Sequence, residues 1–272
     1  MTGESEVLLP RVAAAAGGAQ RDWRGIGWRL AAGVILLGLW QAAAVAVGTI
    51  YVATPVQVAV RLVDWFASGM IFIHLAATAQ QMVIGILIGT SLGVVAGLLL
   101  GRLPTVAAIV EPYLYMIYSL PKAAMAPLFI LWFGIGLTSK IVLVCVVVFF
   151  LTFYNAYRGA RETDRQLIDA VRIMGGSRRD LFVKVIAPSA VMWVIAGVRL
   201  SVPYALIASV IGEMIAAKAG LGFLIMRASQ QFDTVGIFAA LTILMLVSVA
   251  LEPLITLVER RSAVWTTLGS TR

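Results

Sequence analysis

Cysteine and histidine are almost missing from this 272-residue chain, which has one of each. Cys145 by itself excludes an intrachain disulfide and any multi-thiolate metal site. It lies inside an apolar run, where a small buried side chain is its ordinary role. His74 by itself excludes every His-pair metal motif, and near the end of an apolar span it reads as an interfacial side chain. There is no HExxH and no GxSxG. The segment GIGLTSK, Gly134–Lys140, has some letters of a phosphate loop but not the G-x-x-x-x-G-K-[ST] order, and it follows an apolar helix rather than a strand. No residues for ATP hydrolysis or other catalysis, and none for a metal or cofactor, are found. Charge is also scarce: 12% of residues, with 13 acidic against 21 basic.

Apolar residues are abundant. They make up 61% of the chain, and the mean hydropathy of +0.98 exceeds what a water-soluble core requires. Runs that reach or approach the roughly 20 residues needed to span a bilayer as a helix occur at Gly27–Gly48, Thr78–Gly101, Lys140–Tyr157, Val185–Ser209 and Val235–Val258. A sixth, Val106–Ile135, is interrupted near Pro121. Backbone groups in lipid must be satisfied internally, and long unbroken runs suit helices rather than the alternating strands of a barrel. The fold class is therefore all-α integral membrane with six transmembrane helices.

The net charge of +8 reflects topology rather than nucleic-acid binding. With a cytoplasmic N-terminus, six spans leave Arg11, Arg21, Arg24, Arg29, Arg102, the 158–184 loop, Arg260, Arg261 and Arg272 inside. Only Arg61, Lys140, Lys218 and Arg227 remain outside. That bias places both termini in the cytoplasm. The Ala-rich stretch 12–19 precedes the basic cluster, the reverse of signal-peptide order, so the first span reads as an uncleaved anchor.

Residues 1–25 read as a polar, poorly ordered segment, 26–262 as the six-helix domain, and 263–272 as a cytoplasmic tail. Between the first two spans, Val56, Val60, Val63 and Phe66 recur at near-helical spacing, as in a helix lying on the outer membrane face. In the second span Gly85, Gly89, Gly93, Gly97 and Gly101 recur every four residues. Such a stripe forms a groove for a close neighbouring helix; the functional alternative is the lining of a substrate path. In the third span Pro112, Pro121 and Pro127 interrupt the hydrogen-bond ladder, giving either a gate in a path or a kinked packing helix. Ionisable residues inside spans face the bundle interior, and Arg199 with Glu213 reads as an internal ion pair or as part of a pathway. Glu111 and Glu252 lie similarly within spans.

Charge gathers in one place, the 158–184 loop. Thr163 with Gln166 makes a capping-box arrangement, and Leu167, Ile168, Val171 and Met174 share an apolar face. Gly175–Gly176 ends that helix in a glycine conformation, and Ser177 with Asp180 starts a second helix that runs through Pro188 into the membrane. Two readings follow: a helix resting on the bilayer or its own bundle, or a docking knob for a cytosolic partner rigidly joined to the fifth span.

Asp169-Ala170-Val171, Gly175, Val185, Ala187 and Pro188 resemble the E-A-A-x3-G-x9-I-x-L-P loop of permease subunits from binding-protein-dependent ABC importers. Asp169 stands for the Glu, Val171 for the second Ala, Val185 for the Ile and Ala187 for the Leu, with all spacings kept. LPKAAMAPLFILWFGIGLTSK and GEMIAAKAGLGFLI are similar to the nitrate, sulfonate and taurine branch of that family. The resemblance implies a type I importer permease (MetI-like) architecture and a homodimer. It further implies two cytosolic ATPase subunits, an extracytoplasmic solute-binding protein, and a bacterial inner-membrane location. Asp169, Ala170, Val171, Gly175, Gly176 and Pro188 would form the ATPase-coupling loop. Ser201, Tyr204, Ser209 and Glu213 are the candidates for lining the path, with a small organic or inorganic anion as cargo. The alternative is a self-contained secondary transporter or channel, which needs midplane ion sites and internal repeats that the sequence does not show.

Overall fold

The computed structural model describes residues 23–267, so the expectations for most of residues 1–25 and for residues 268–272 lie outside the described residues. Among the described residues eleven α-helices follow one another: α1 (Trp23–Val47), α2 (Pro55–Ala67), α3 (Met70–Gly101), α4 (Pro104–Ser119), α5 (Ala126–Phe133), α6 (Leu137–Arg161), α7 (Arg165–Ile173), α8 (Arg178–Leu181), α9 (Ala187–Ala216), α10 (Leu221–Gln230) and α11 (Thr234–Thr267). Among the described residues five helices are long and apolar enough to cross a membrane. A sixth crossing arises if α4 and α5, bent by 77° at their junction, count as one broken span. The all-helical, six-span expectation holds, and the break falls at Pro121 as the prolines indicate.

Helix α6 is the centre. Half of its most apolar window is buried, against 6% of that of α1, which packs at the periphery. Its partner on one side is the glycine face of α3. A Cβ on Gly85 would stand 2.5 Å from Val144 Cγ1, one on Gly89 2.6 Å from the Cys145 carbonyl oxygen, and one on Gly97 2.5 Å from the Phe153 carbonyl oxygen. Both helices advance by four residues per contact in the same direction, so they run parallel and meet along nearly their full length. The facing row on α6 is Val144, Val148, Thr152, Ala156 and Ala160, also at intervals of four. On its other side α6 meets α9 antiparallel, with Gly159 against Trp193 and Gly197 against Asn155. Without a hydrophobic drive between helices in lipid, small residues that let backbones touch are what hold such a layer together.

Helix α3 begins at Met70, two turns before the expected Thr78, because the apolar run continues through His74 without a breaker. At the same end α2 is started by a Thr54–Gln57 capping box. It lies against α11 through Val58 and Ala239, with Leu62 and Trp65 alongside. Val56, Val60, Val63 and Phe66 are left on its exposed face, where an interfacial helix meets lipid. Arg61 on α2 pairs with Asp233 before α11 at 2.5 Å, tying the two elements. Burial opposes the Asp233 charge, but the Gly236 N–H and the Arg61 guanidinium prevail and hold the carboxyl below its usual range.

Candidate functional site

Three features stand apart from packing: a polar knot where α3 meets the α9–α10 connection, a cavity at mid-height, and an elbow at the opposite end of the bundle.

The knot centres on Glu213, 1% exposed. Its Oε1 accepts from Thr78 Oγ1 at 2.7 Å and from the Gln81 amide, and its Oε2 accepts from the Gly222 N–H at 2.7 Å. Thr78 Oγ1 in turn accepts from the Leu221 N–H, and His74 Nδ1 from the Gly220 N–H. His74 is therefore buried and committed, stacked on Phe223, rather than interfacial. Gly220 has φ +126°, and a Cβ there would collide with the Glu213 carboxylate, so both conformation and space demand glycine. The expected Arg199–Glu213 pair is not formed. Arg199 lies on α9 nearly four turns below Glu213 and pairs with Glu252 of α11 at 3.1 Å. The separation along one helix, about 21 Å at 1.5 Å per residue, is beyond any side chain's reach.

Every partner of Glu213 is a donor, so removing the carboxylate strands several of them. Glu213→Ala is expected to lower the melting temperature in mild detergent by roughly 6–12 °C. That follows from about 3 kcal/mol for unsatisfied buried groups, at about 2–4 °C per kcal/mol. Glu213→Gln, which keeps one acceptor oxygen, should fall between. Equal melting of all three proteins would show that the knot holds nothing.

The cavity, about 300 Å³, opens where the broken span faces α6 and α9. Tyr118 and Lys122 come from the break, Val147 and Leu151 from α6, and Tyr204 and Ile207 from α9. The Lys122 ammonium stands 4.4 Å from the centre of the Tyr118 ring and 5.1 Å from that of Phe150, and donates to the Tyr118 carbonyl oxygen. Phe150 is within one residue of the middle of α6, which places Lys122 near the membrane midplane. Of the four residues expected to line a path, Tyr204, 52% exposed, borders this cavity. Ser201 is buried and donates to the Val198 carbonyl within its own helix. Ser209 is buried too, with its hydroxyl unpartnered, and Glu213 belongs to the knot. Lys122 is not among the path residues expected from the sequence, although a lysine between two prolines inside an apolar span is a signal there.

The elbow is built from α7 and α8. Asp164, not Thr163, caps α7 by accepting from the Gln166 N–H. Thr163 is buried and turns its hydroxyl back to the carbonyls of Gly159 and Ala160, which finish α6. At the other end, the Gly175 N–H donates to the Arg172 carbonyl and the Gly176 N–H to the Val171 carbonyl, with Gly175 alone in the left-handed region at φ +74°. This is a Schellman stop. Ser177 and Asp180 then form the expected capping box. From Arg178 the helix runs unbroken to Ala216, 39 residues. Pro188 has no N–H for the usual bond, and the turn before it widens to i→i+5, with Ala187 N–H donating to Phe182 carbonyl. Thirty-nine residues are about twice a bilayer span, so the start of this helix and α7 project beyond the membrane. Ile173 and Met174 at the tip are 87% and 84% exposed, Leu167 is half exposed, and Ile168 and Val171 are partly covered. Asp169 is exposed beside Arg172, and Ala170 is exposed as well. The base is fixed by a Lys184–Asp180 pair at 2.7 Å and by the Arg102 guanidinium 3.8 Å above the Phe182 ring.

Residues 89–264 match the family described as binding-protein-dependent transport system inner membrane component. The chain is 33% identical over 217 residues to the formylaminopyrimidine transport permease protein ThiX of Halalkalibacterium halodurans, covering 79% of this chain and 86% of that protein. It is 30% identical over 269 residues to a Bacillus subtilis permease protein, SsuC, named for aliphatic sulfonates, covering 97% and 98%. A solved inward facing structure of the MetNI methionine ABC transporter has the same fold at a TM-score of 0.60 and 19% identity, covering 71% of this chain and 98% of that one.

Proposed function

The chain belongs to the binding-protein-dependent inner membrane components, the permeases of ABC importers, and on that premise we propose that it forms, with a second copy of itself, the translocation path for a small anion driven by a cytosolic pair of ATPase subunits. The observation that carries this reading is the elbow. A short helix with an apolar tip is capped at both ends and fused without a flexible joint to the 39-residue helix that forms one wall of the cavity. Asp169, Ala170, Val171, Gly175, Gly176 and Pro188 are its coupling residues. Closure of the ATPase pair moves the tip, and the continuous helix carries that movement to Tyr204 and Ile207 at mid-height. Two arrangements of α9 against the broken span then open the path to one side or the other. ATP hydrolysis belongs to the partner. An extracytoplasmic solute-binding protein delivers the cargo, and both termini face the cytoplasm of a bacterial cell. The similarity to SsuC, a protein named for aliphatic sulfonates, supports a sulfonate-like anion as the cargo.

The test is purification of the tagged chain from its native membrane in mild detergent, with mass spectrometry of what accompanies it. A stoichiometric protein bearing a P-loop is the expected result. Recovery of the chain alone would overturn the coupling reading in favour of a self-contained transporter or channel.

A further inference from the structure

Lys122 is a cation placed where a membrane protein can least sustain one without compensation. It is level with the middle of α6 and half-buried. Among the described residues no carboxylate forms an ion pair with it. Its contacts are the carbonyl oxygens of Tyr118 and Leu120 and the faces of two aromatic rings. Carbonyls and ring faces hold an ammonium loosely and leave its charge unneutralised. Elsewhere in the bundle, Arg161 and Arg199 each have a glutamate, Glu111 and Glu252 respectively. Among the described residues Lys140 also lacks an ion pair and borders a second cavity, with Lys218, at the Glu213 end of the bundle. Lys122 is set apart by opening on the cavity at mid-height.

The remaining walls of that cavity are apolar. Val147 and Leu151 line one side and Ile207 and Ala208 the other, with the Tyr118 and Tyr204 side chains between them. One positive charge at the edge of an apolar chamber of about 300 Å³ suits a small molecule with one anionic group and a hydrocarbon or aromatic body. A bare inorganic anion would leave the apolar walls unused, and a neutral pyrimidine would leave the charge unmet. We propose that Lys122 is an anion-binding residue inside the path, and that this cavity is a midway station for a small organic monoanion, a sulfonate or a carboxylate. While the station is empty the ammonium rests on the Tyr118 and Phe150 rings; cargo draws it into the chamber. The proposal rests on the import reading for its direction of transport but not for the site itself.

The single native cysteine makes the test direct. In a Cys145→Ser background, Tyr204→Cys puts one thiol in the cavity wall. In native membrane vesicles its reaction is timed with two methanethiosulfonate reagents of similar size, one ending in a sulfonate and the other in a trimethylammonium. Each forms a mixed disulfide with the thiolate and releases methanesulfinate. With Lys122 present, the sulfonate reagent should be favoured over the cationic one by at least about tenfold relative to the same protein carrying Lys122→Gln, the scale expected of a nearby charge in a low-dielectric site. Lys122→Arg should restore the preference. Millimolar butanesulfonate should slow labelling in the lysine and arginine proteins but not in the glutamine protein, and butanol should slow it in none. A reagent ratio unaffected by Lys122→Gln would overturn the station even where an ATPase co-purifies. A preserved ratio in a chain that purifies without an ATPase would keep the station and overturn the import reading instead.

Discussion

Gly175→Pro is expected to abolish ATP-driven uptake and stimulation of the partner ATPase while leaving membrane insertion and melting temperature unchanged. Gly175 sits at φ +74°, where proline, held near −65°, cannot go, and its N–H is one of the two bonds that close the Schellman stop. The substitution therefore forces α7 out of its fixed angle to α8. Helix α7 packs chiefly on α8 and not into the α3–α6–α9 layer, so the bundle does not depend on it. Uptake should drop by more than an order of magnitude in vesicles containing the complete complex. Gly175→Ala, for which the left-handed conformation costs about 1–2 kcal/mol per residue, should retain a partial rate. Normal uptake with Gly175→Pro would remove the elbow from the mechanism. A collapse in melting temperature would show instead that the elbow is part of the fold.

The second large effect is structural. Gly97→Leu should eliminate folded protein altogether. Its Cβ would fall 2.5 Å from the Phe153 carbonyl oxygen and 2.9 Å from Ala156 Cβ, so the obstacle is backbone on one side and a small side chain on the other, neither of which has a rotamer to change. Overpacking typically costs about 1–3 kcal/mol where side chains can shift, and here the two helix axes must separate along their length. Size-exclusion in mild detergent should show aggregate and no monodisperse species. Gly33→Leu on α1, where an added Cβ meets nothing within 4 Å, should elute like the parent. If both variants eluted alike, the α3–α6 contact would not be what holds the bundle.

These two glycines mark how far the sequence could be read. Six spans, the break at Pro121, the surface helix and the Ser177–Asp180 cap follow from local rules: run length, missing N–H groups, helical period and side-chain reach over three residues. The elbow is equally local, since its two N-terminal caps are set by residues within four positions of each other. Even there, competition decided the first cap. Thr163 had the right chemistry, but its hydroxyl is used by the carbonyls at the end of α6, and Asp164 took the role.

What the sequence by itself determined was which segments are helical, where they must stop, and that one connection stands in water. What only the tertiary structure decided was who meets whom. The glycine stripe announced a close neighbour but not that α6 would answer with its own row at the same interval, running parallel. Glu213 and Arg199 share a helix and looked like a pair. Folding instead gave Glu213 to Thr78, Gln81 and Gly222, and Arg199 to Glu252, because partners on other helices lay within hydrogen-bond reach and the two residues of one rod did not. Lys122 shows the same limit from the other side. Its charge is plain in the sequence, but the lack of an ion pair to it among the described residues and its opening on a cavity depend on three segments far apart in the chain, brought level only by the packing of α6 and α9 against the broken span.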